Sequence, residues 1–309
     1  MKRSVLPLTF GDNNETLLFD RLEAIKAIVK EYGEDNFYLS FSGGKDSTVL
    51  HYLLDMALPN NKIPRVFCNT GIEYNLVVDF VNKLANADTR FILIKPSINI
   101  VNMLKTYGYP FKSKEHSAYV AQYQSNGIST KYLKDYLGIG TVHKYKSCPD
   151  KLQYQFTDQF HLKVSDACCK KLKLEPIEIF QSDFNKPYSI NGIRKEESGR
   201  RVRAQCKVFK DGKFKKFQPL VAVSNDWEDW FIKEYKIELC ALYYPPYNFV
   251  RTGCKGCPFN VQLQEALDIL GEYFPSEKRQ CEMIWKPVYE EYRRLNYRLT
   301  PVVKGRSLF

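Results

Sequence analysis

Apolar residues recur at helical spacing through Leu17, Leu18, Leu22, Ile25, Ile28 and Val29, after a polar start at Asn13-Asn14-Glu15-Thr16 and before Gly33. That pattern predicts a helix with a glycine stop. Phe37–Phe41 is short, aromatic and apolar and reads as a strand; Ser42–Ser47 is a turn, and Thr48–Met56 returns to helical periodicity. Arg65–Cys68 predicts a second strand, Asn69-Thr70-Gly71 a turn, Tyr74 to Leu84 a helix, and Arg90–Ile94 a third strand. Strands alternating with helices in units of about 30 residues predict a parallel α/β sheet with right-handed crossovers.

From Tyr107 to Asp166 the period is lost among Tyr, Lys, Ser and Gln, which suggests an inserted, partly helical lid or arm. Order returns with a helix around Cys168–Leu174 and a strand at Tyr188–Ile193. Asp211-Gly212, flanked by Val208-Phe209-Lys210 and Lys213-Phe214, is a hairpin signature. Trp227–Tyr235 is amphipathic, and helices are expected across Gln262–Leu270 and Glu277–Leu295. The organisation read from this is an α/β domain over residues 1–235, with the insertion at 107–166, followed by a smaller helical region at 236–309 that carries a Cys-x-x-Cys loop.

The chain has 309 residues, 44% hydrophobic and 26% charged, which excludes extensive disorder and fibrous folds. Lys plus Arg exceeds Asp plus Glu by 46 − 35 = 11, so polyanions such as nucleotides or nucleic acid become natural partners. A merely basic surface would give the same number. No apolar run approaches the ~20 residues of a bilayer span. The stretch after Met1-Lys2-Arg3 is broken by Pro7 and is too short for a secretion signal. A cytoplasmic, reducing setting is therefore expected, where nine cysteines read as metal ligands, reactive thiols or buried hydrophobes.

Three constellations carry chemistry. Ser42-Gly43-Gly44-Lys45-Asp46-Ser47 joins a strand to a helix. Its glycines permit close approach, and the helix start offers free N–H groups to an anion. Lys45 adds a full charge, and Ser42 and Ser47 add hydroxyls. It is a phosphate cradle without Walker spacing. A plain glycine turn is the duller reading. Second, Gly192-Ile193-Arg194-Lys195-Glu196-Glu197-Ser198-Gly199-Arg200-Arg201 follows a strand, and its guanidiniums can chelate phosphate or sulfate; alone it would pass for a solvated charged turn. Third, Cys168-Cys169 and Cys254-Lys255-Gly256-Cys257 supply four thiolates, which suit zinc or an iron–sulfur cluster, although vicinal cysteines are awkward for structural zinc.

These strings resemble the PP-loop ATP pyrophosphatases, and within them the phosphoadenylyl-sulfate reductase branch, from about Asn36 to Tyr297. The SGGKDS loop is that superfamily's signature, Asn69-Thr70-Gly71-Ile72-Glu73 is similar to its "DTG…E" stretch with Asn69 in place of Asp, and the Gly192–Arg201 run resembles "GxRxxES..R". The resemblance implies a five-stranded, mostly parallel sheet flanked by helices. It places nucleotide or phosphate contacts on Ser42, Gly43, Gly44, Lys45, Asp46, Ser47, Thr70, Gly71, Gly192, Arg194, Glu197, Ser198 and Arg201. Catalytic roles fall on Lys45, Asp46 and Arg194. The strings Cys168–Ile177 and Phe249–Phe259 are similar to the framework that holds a 4Fe-4S cluster in adenylyl-sulfate reductases, so Cys168, Cys169, Cys254 and Cys257 are the implied ligands.

Two departures shape the functional expectation. The reductases carry a catalytic cysteine in a C-terminal "ECGxH" context, whereas this sequence has no Cys after Cys281. In the reductases the pyrophosphate loop is usually degenerate, whereas here it is intact. The pattern is then similar to cluster-bearing ATP pyrophosphatases of DNA phosphorothioation and tRNA thiolation. ATP with Mg2+ is the favoured substrate, cleaved to AMP and pyrophosphate to activate an acceptor, such as nucleic acid, for sulfur transfer. Phosphoadenylyl sulfate (PAPS) or adenylyl sulfate (APS) reduction, with a thioredoxin-like or sulfur-donor protein as partner, is the alternative, and a non-enzymatic nucleotide or redox sensor is a third reading.

Overall fold

A computed structural model of the chain describes residues 13–140, 148–197 and 199–301. The described residues fall into two compact units, one drawn from residues 13–68, 75–94 and 178–251, the other from residues 69–74, 95–177 and 252–301. In chain order the helices are α1 (Asn13–Tyr32), α2 (Lys45–Ala57), α3 (Asn75–Ala87), α4 (Ile100–Tyr107), α5 (Lys114–Asn126), α6 (Lys131–Leu137), α7 (Ala167–Cys169), α8 (Glu175–Asp183), α9 (Asn225–Glu234), α10 (Leu263–Tyr273), α11 (Pro275–Ile284) and α12 (Lys286–Arg294). No helix among the described residues is long and apolar enough to cross a membrane.

The first unit carries the sheet. Strands β1 (Phe37–Phe41), β2 (Arg65–Cys68), β3 (Phe91–Ile94), β4 (Tyr188–Ile190), β5 (Lys207–Lys210) and β6 (Lys213–Phe217) lie in the order β3-β2-β1-β4-β6-β5. Every neighbouring pair is parallel except the β5–β6 hairpin. The parallel α/β expectation holds, with one strand more than the family resemblance implies. That strand is β5, the antiparallel edge created at Asp211 (φ 51°) and Gly212 (φ 71°), the pair of left-handed residues a tight hairpin requires. The expected strand at Tyr188–Ile193 ends at Ile190.

β1 is buried along its length apart from Ser40, as a central parallel strand with both faces covered should be. It pairs through Leu39 with Arg65 of β2 on one side and Ile190 of β4 on the other. Chain order reverses between β1 and β4. In open α/β sheets, ligands bind beyond the carboxyl ends of the strands at such a reversal. At the other end of β2, fully buried Arg65 pairs with Asp55 (2.6 Å) and Arg90 pairs with Asp55 and Asp88 (2.8 and 2.7 Å), which anchors the strand starts.

In the second unit the expected helix at Glu277–Leu295 is two helices, α11 and α12, that meet at Trp285. Pro287 has no N–H for the preceding turn, so the run breaks there. The helix begun at Cys168 winds as a π-turn over Lys170–Leu174 and continues through Pro176 to Asp183; Glu175 N–H donates to the Lys170 carbonyl. Pro176 cannot make the ordinary bond to residue 172, which accounts for the wider turn. Within residues 107–166 lie α5, α6 and the 3-10 stretch Asp150–Phe156, packed around a buried His116. Its ring nitrogens meet Tyr136 Oη at 2.8 Å and Gln155 Oε1 at 2.7 Å.

Candidate functional site

In the first unit, the Ser42–Ser47 loop leaves the end of β1 and the Gly192–Arg194 stretch leaves the end of β4, so both signatures emerge side by side at the chain reversal. Gly43 has φ 71°, and a Cβ there would lie 2.7 Å from Val77 Cγ1 of α3, so only glycine fits. Gly44 caps α2 in extended geometry. The loop is braced internally: Gly44 N–H donates to Ser42 Oγ (3.3 Å), Ser42 Oγ lies 3.0 Å from Ser47 Oγ, and Ser47 donates to the Gly44 carbonyl (2.9 Å). Lys45 N–H donates to Tyr243 Oη at 3.0 Å.

The charges converge around Arg194, which is only 4% exposed. Its Nε donates to Asp46 Oδ1 (2.5 Å), Nη1 to Asn225 Oδ1 (2.9 Å), and Nη2 lies 3.0 Å from Glu228 Oε2. Lys45 Nζ lies 3.1 Å from the same Glu228 oxygen and 3.0 Å from Asp229 Oδ1. Lys45, Asp46 and Arg194, the expected catalytic trio, are thus brought together, with Glu228 at the centre. Burial and the neighbouring Asp46 charge raise the Glu228 carboxyl to about 7, against the pull of Arg194 and Lys45. Burial opposes the Lys45 ammonium, but Glu228 and Asp229 outweigh it and hold its pKa above the ordinary value. Within the cluster the cations and anions pair with each other.

Of the other expected contacts in this unit, Arg201 sits on the 3-10 turn Gly199–Arg203. Ser198 and the Glu197 side chain lie outside the described residues. Glu228, Asp229, Asn225 and Tyr243 were not anticipated. Trp227–Tyr235 was read as helix alone, and a buried Glu has no signature in a single sequence.

The second unit holds the remaining candidates. Thr70 N–H and Oγ1 both donate to Glu73 (2.9 and 2.8 Å), and Gly71 N–H donates to Asn69 Oδ1 (3.0 Å). Asn69 therefore serves the turn as Asp would. The same segment meets the cysteine loop: Glu73 bridges to Cys254, and Lys255 N–H donates to the Ile72 carbonyl at 2.6 Å. Lys173, on the π-turn, reaches Glu73 Oε1 at 3.5 Å. Burial opposes its charge, yet Cys254 and Glu73 raise its pKa.

The Cys254–Cys257 loop is clamped by its carbonyls. Trp285 Nε1 donates to the Lys255 carbonyl (3.2 Å), Tyr289 Oη to that of Gly256 (2.5 Å) and Tyr292 Oη to that of Pro258 (2.9 Å). Lys255 Nζ pairs with buried Glu277 at 2.7 Å. Burial, then the charges of Cys169, Cys254 and Cys257, raise the Cys168 thiol; burial, then Cys254, takes Cys257 to about 12. None of the four is in a disulfide, and the Cys168 thiol feels the other three. Among the described residues no three His, Cys, Asp or Glu side chains are placed to hold a single metal ion. Cys168 and Cys169 on α7 and Cys254 and Cys257 on one loop place four soft donors on two short segments.

A model of the phosphoadenosine phosphosulfate reductase domain matches residues 36–137 and 129–260. An uncharacterized protein of Methanocaldococcus jannaschii is 24% identical over 269 residues, covering 82% of this chain and 52% of that protein. The chain thus spans about half the length of this curated relative. Solved structures with some likeness include phosphoadenylyl-sulfate reductase from Candida auris in its phosphate complex (14% identity, 75% of this chain and 90% of that one, TM-score 0.42). The U34-tRNA thiolase NcsA from Methanococcus maripaludis, with its [4Fe-4S] cluster, is 14% identical over 94% of this chain and 84% of that one, TM-score 0.37.

Proposed function

Because the chain belongs to the phosphoadenosine phosphosulfate reductase domain family, we propose that it is a PP-loop enzyme that cleaves magnesium-bound ATP to AMP and pyrophosphate and thereby activates an acceptor for sulfur transfer. The observation that carries this reading is the meeting of Lys45, Asp46 and Arg194 beside the carboxyl ends of β1 and β4. An acceptor nucleophile attacks the α-phosphorus, the α–β P–O bond breaks, and pyrophosphate leaves with the electron pair. Lys45 and the α2 N-terminus offset the charge that grows on the leaving group. Arg194, steered by Asp46, orients the phosphates. A sulfur donor then displaces AMP from the acceptor. A 4Fe-4S cluster on Cys168, Cys169, Cys254 and Cys257 would supply a soft binding site for sulfur.

The excess of 11 positive charges supports nucleic acid as the acceptor. The family match itself favours a second reading, reduction of PAPS or APS to sulfite by a partner thiol. Incubating anaerobically purified protein with each nucleotide separates the two. AMP and pyrophosphate from ATP support the first. Sulfite from PAPS or APS with no turnover of ATP overturns it.

A further inference from the structure

Glu228 touches both Lys45 and Arg194, and no motif marks it. It lies on α9, fully buried, with one oxygen 3.1 Å from Lys45 Nζ and 3.0 Å from Arg194 Nη2. Both contacts converge on the single oxygen Oε2. A buried carboxylate keeps its charge only while such cations attend to it. Lys45 and Arg194 are also the groups an incoming phosphate must recruit. We propose that Glu228 is a positioning residue of the phosphate site: an internal anion that sets Lys45 and Arg194 in place before the nucleotide arrives and accepts a proton when phosphate takes them over. This rests on the phosphate-site reading of the Ser42–Ser47 loop.

The groups facing Glu228 define the balance. From α2 come Lys45 and Asp46 and from the stretch after β4 comes Arg194; on α9, Asp229 shares Lys45 with Glu228 and Asn225 shares Arg194. Asp46 repels the charged form, while the two cations stabilise it, and the carboxyl already stands near neutrality. A bound polyphosphate adds repulsion and draws the cations away. Both changes favour the protonated acid, so binding takes up a proton from solvent, with no bond in the ligand altered.

The experiment is titration calorimetry of the full chain with inorganic pyrophosphate in buffers of different ionisation heat, from pH 6.5 to 8.5. Pyrophosphate titrates in the same range, so the quantity read is the difference between wild type and Glu228→Gln. Wild type should take up about 0.3–0.8 proton more per site near pH 7.5. Its affinity should weaken several-fold more steeply with rising pH than that of Glu228→Gln, and kcat of the variant should fall with little change in KM. Glu228→Asp, which keeps the acid, should retain the extra uptake; with difference infrared spectroscopy on wild type, which reports a newly protonated carboxyl, it decides the matter if Glu228→Gln does not fold. Identical proton uptake in wild type and Glu228→Gln, with pyrophosphate bound by both, overturns the role of Glu228 and leaves the phosphate site standing. No pyrophosphate binding by wild type overturns both.

Discussion

Gly192 stands so close to Asp46 that a Cβ on it would lie 2.9 Å from the Asp46 carbonyl oxygen and 3.3 Å from its Cβ. The two signatures, far apart in sequence, touch through a glycine. Gly192→Ala should push a backbone that has nowhere to yield. We expect a loss of roughly 1–3 kcal/mol in stability and weakened nucleotide binding, read by thermal melting and ATP titration. A variant that melts and binds like wild type would mean that the contact is loose.

Lys45 has a charge on each side of it: Glu228 and Asp229 in the free protein, phosphate in the proposed complex. Lys45→Ala should therefore lower kcat/KM for ATP cleavage by about 2–4 kcal/mol, the scale of a lost oxyanion donor. It also leaves Glu228 with Arg194 as its remaining cation, so the apparent carboxyl pKa should climb further. Unchanged pyrophosphate release from Lys45→Ala would reduce the loop to a structural turn.

The cysteines make a prediction independent of the nucleotide. Anaerobically purified protein should be brown and hold about four irons per chain if the site is a full cubane. Cys168→Ser or Cys257→Ser should bleach it and lower the melting temperature, because cluster binding is coupled to folding. Stoichiometric zinc with no visible absorbance after reconstitution would sink the cluster reading.

The parts that were legible in the sequence were those in which burial and pattern coincide. β1 and β2 match their apolar runs residue for residue, and the Asp211-Gly212 hairpin follows from backbone chemistry alone. What stayed hidden depends on contacts between distant segments. Glu228 sits in a helix whose pattern is dominated by Trp227 and Phe231, and nothing local says that its acid is buried. Lys173 and Glu73 lie in the Cys168–Ile177 and Asn69–Glu73 stretches, yet their meeting at Cys254 required the fold. The 107–166 segment resisted reading because its interior is partly polar: His116, Ser117 and Gln155 are wholly buried, which blurs any hydrophobic period.

The lysines of the β5–β6 hairpin admit two explanations with different salt signatures. Lys207, Lys210, Lys213 and Lys216 are exposed, and charge on the edge strand β5, which carries Lys207 and Lys210, also guards against sheet-to-sheet pairing. If they meet nucleic-acid phosphates, log affinity against log salt should fall with a slope near −3, and Lys210→Ala with Lys213→Ala should remove roughly 1.5 of it. A flat dependence leaves Lys207 and Lys210 to edge protection and removes nucleic acid from the proposal, while the pyrophosphatase reading remains.

His116 gives the pH dependence of the second unit a definite sign. Burial, against a smaller opposing effect of the Gln155 hydrogen bond, depresses its pKa to about 4. In the unfolded chain a histidine titrates near 6.5. Between those values the unfolded state binds the proton and the native state refuses it, so stability is intact above about pH 6.5 and is lost as pH falls towards 4. The loss is bounded at about 3 kcal/mol. Buried His51 in the first unit is depressed to about 4 as well, by burial and then by Arg65. His116→Gln should therefore remove only part of the acid sensitivity in denaturant titrations between pH 4 and 7. It should also be less stable than wild type at pH 7, because Tyr136 and Gln155 lose a partner held at 2.8 and 2.7 Å. An acid slope identical to that of wild type would mean that His116 is protonated in the fold, with its ring hydrogen bonds arranged otherwise.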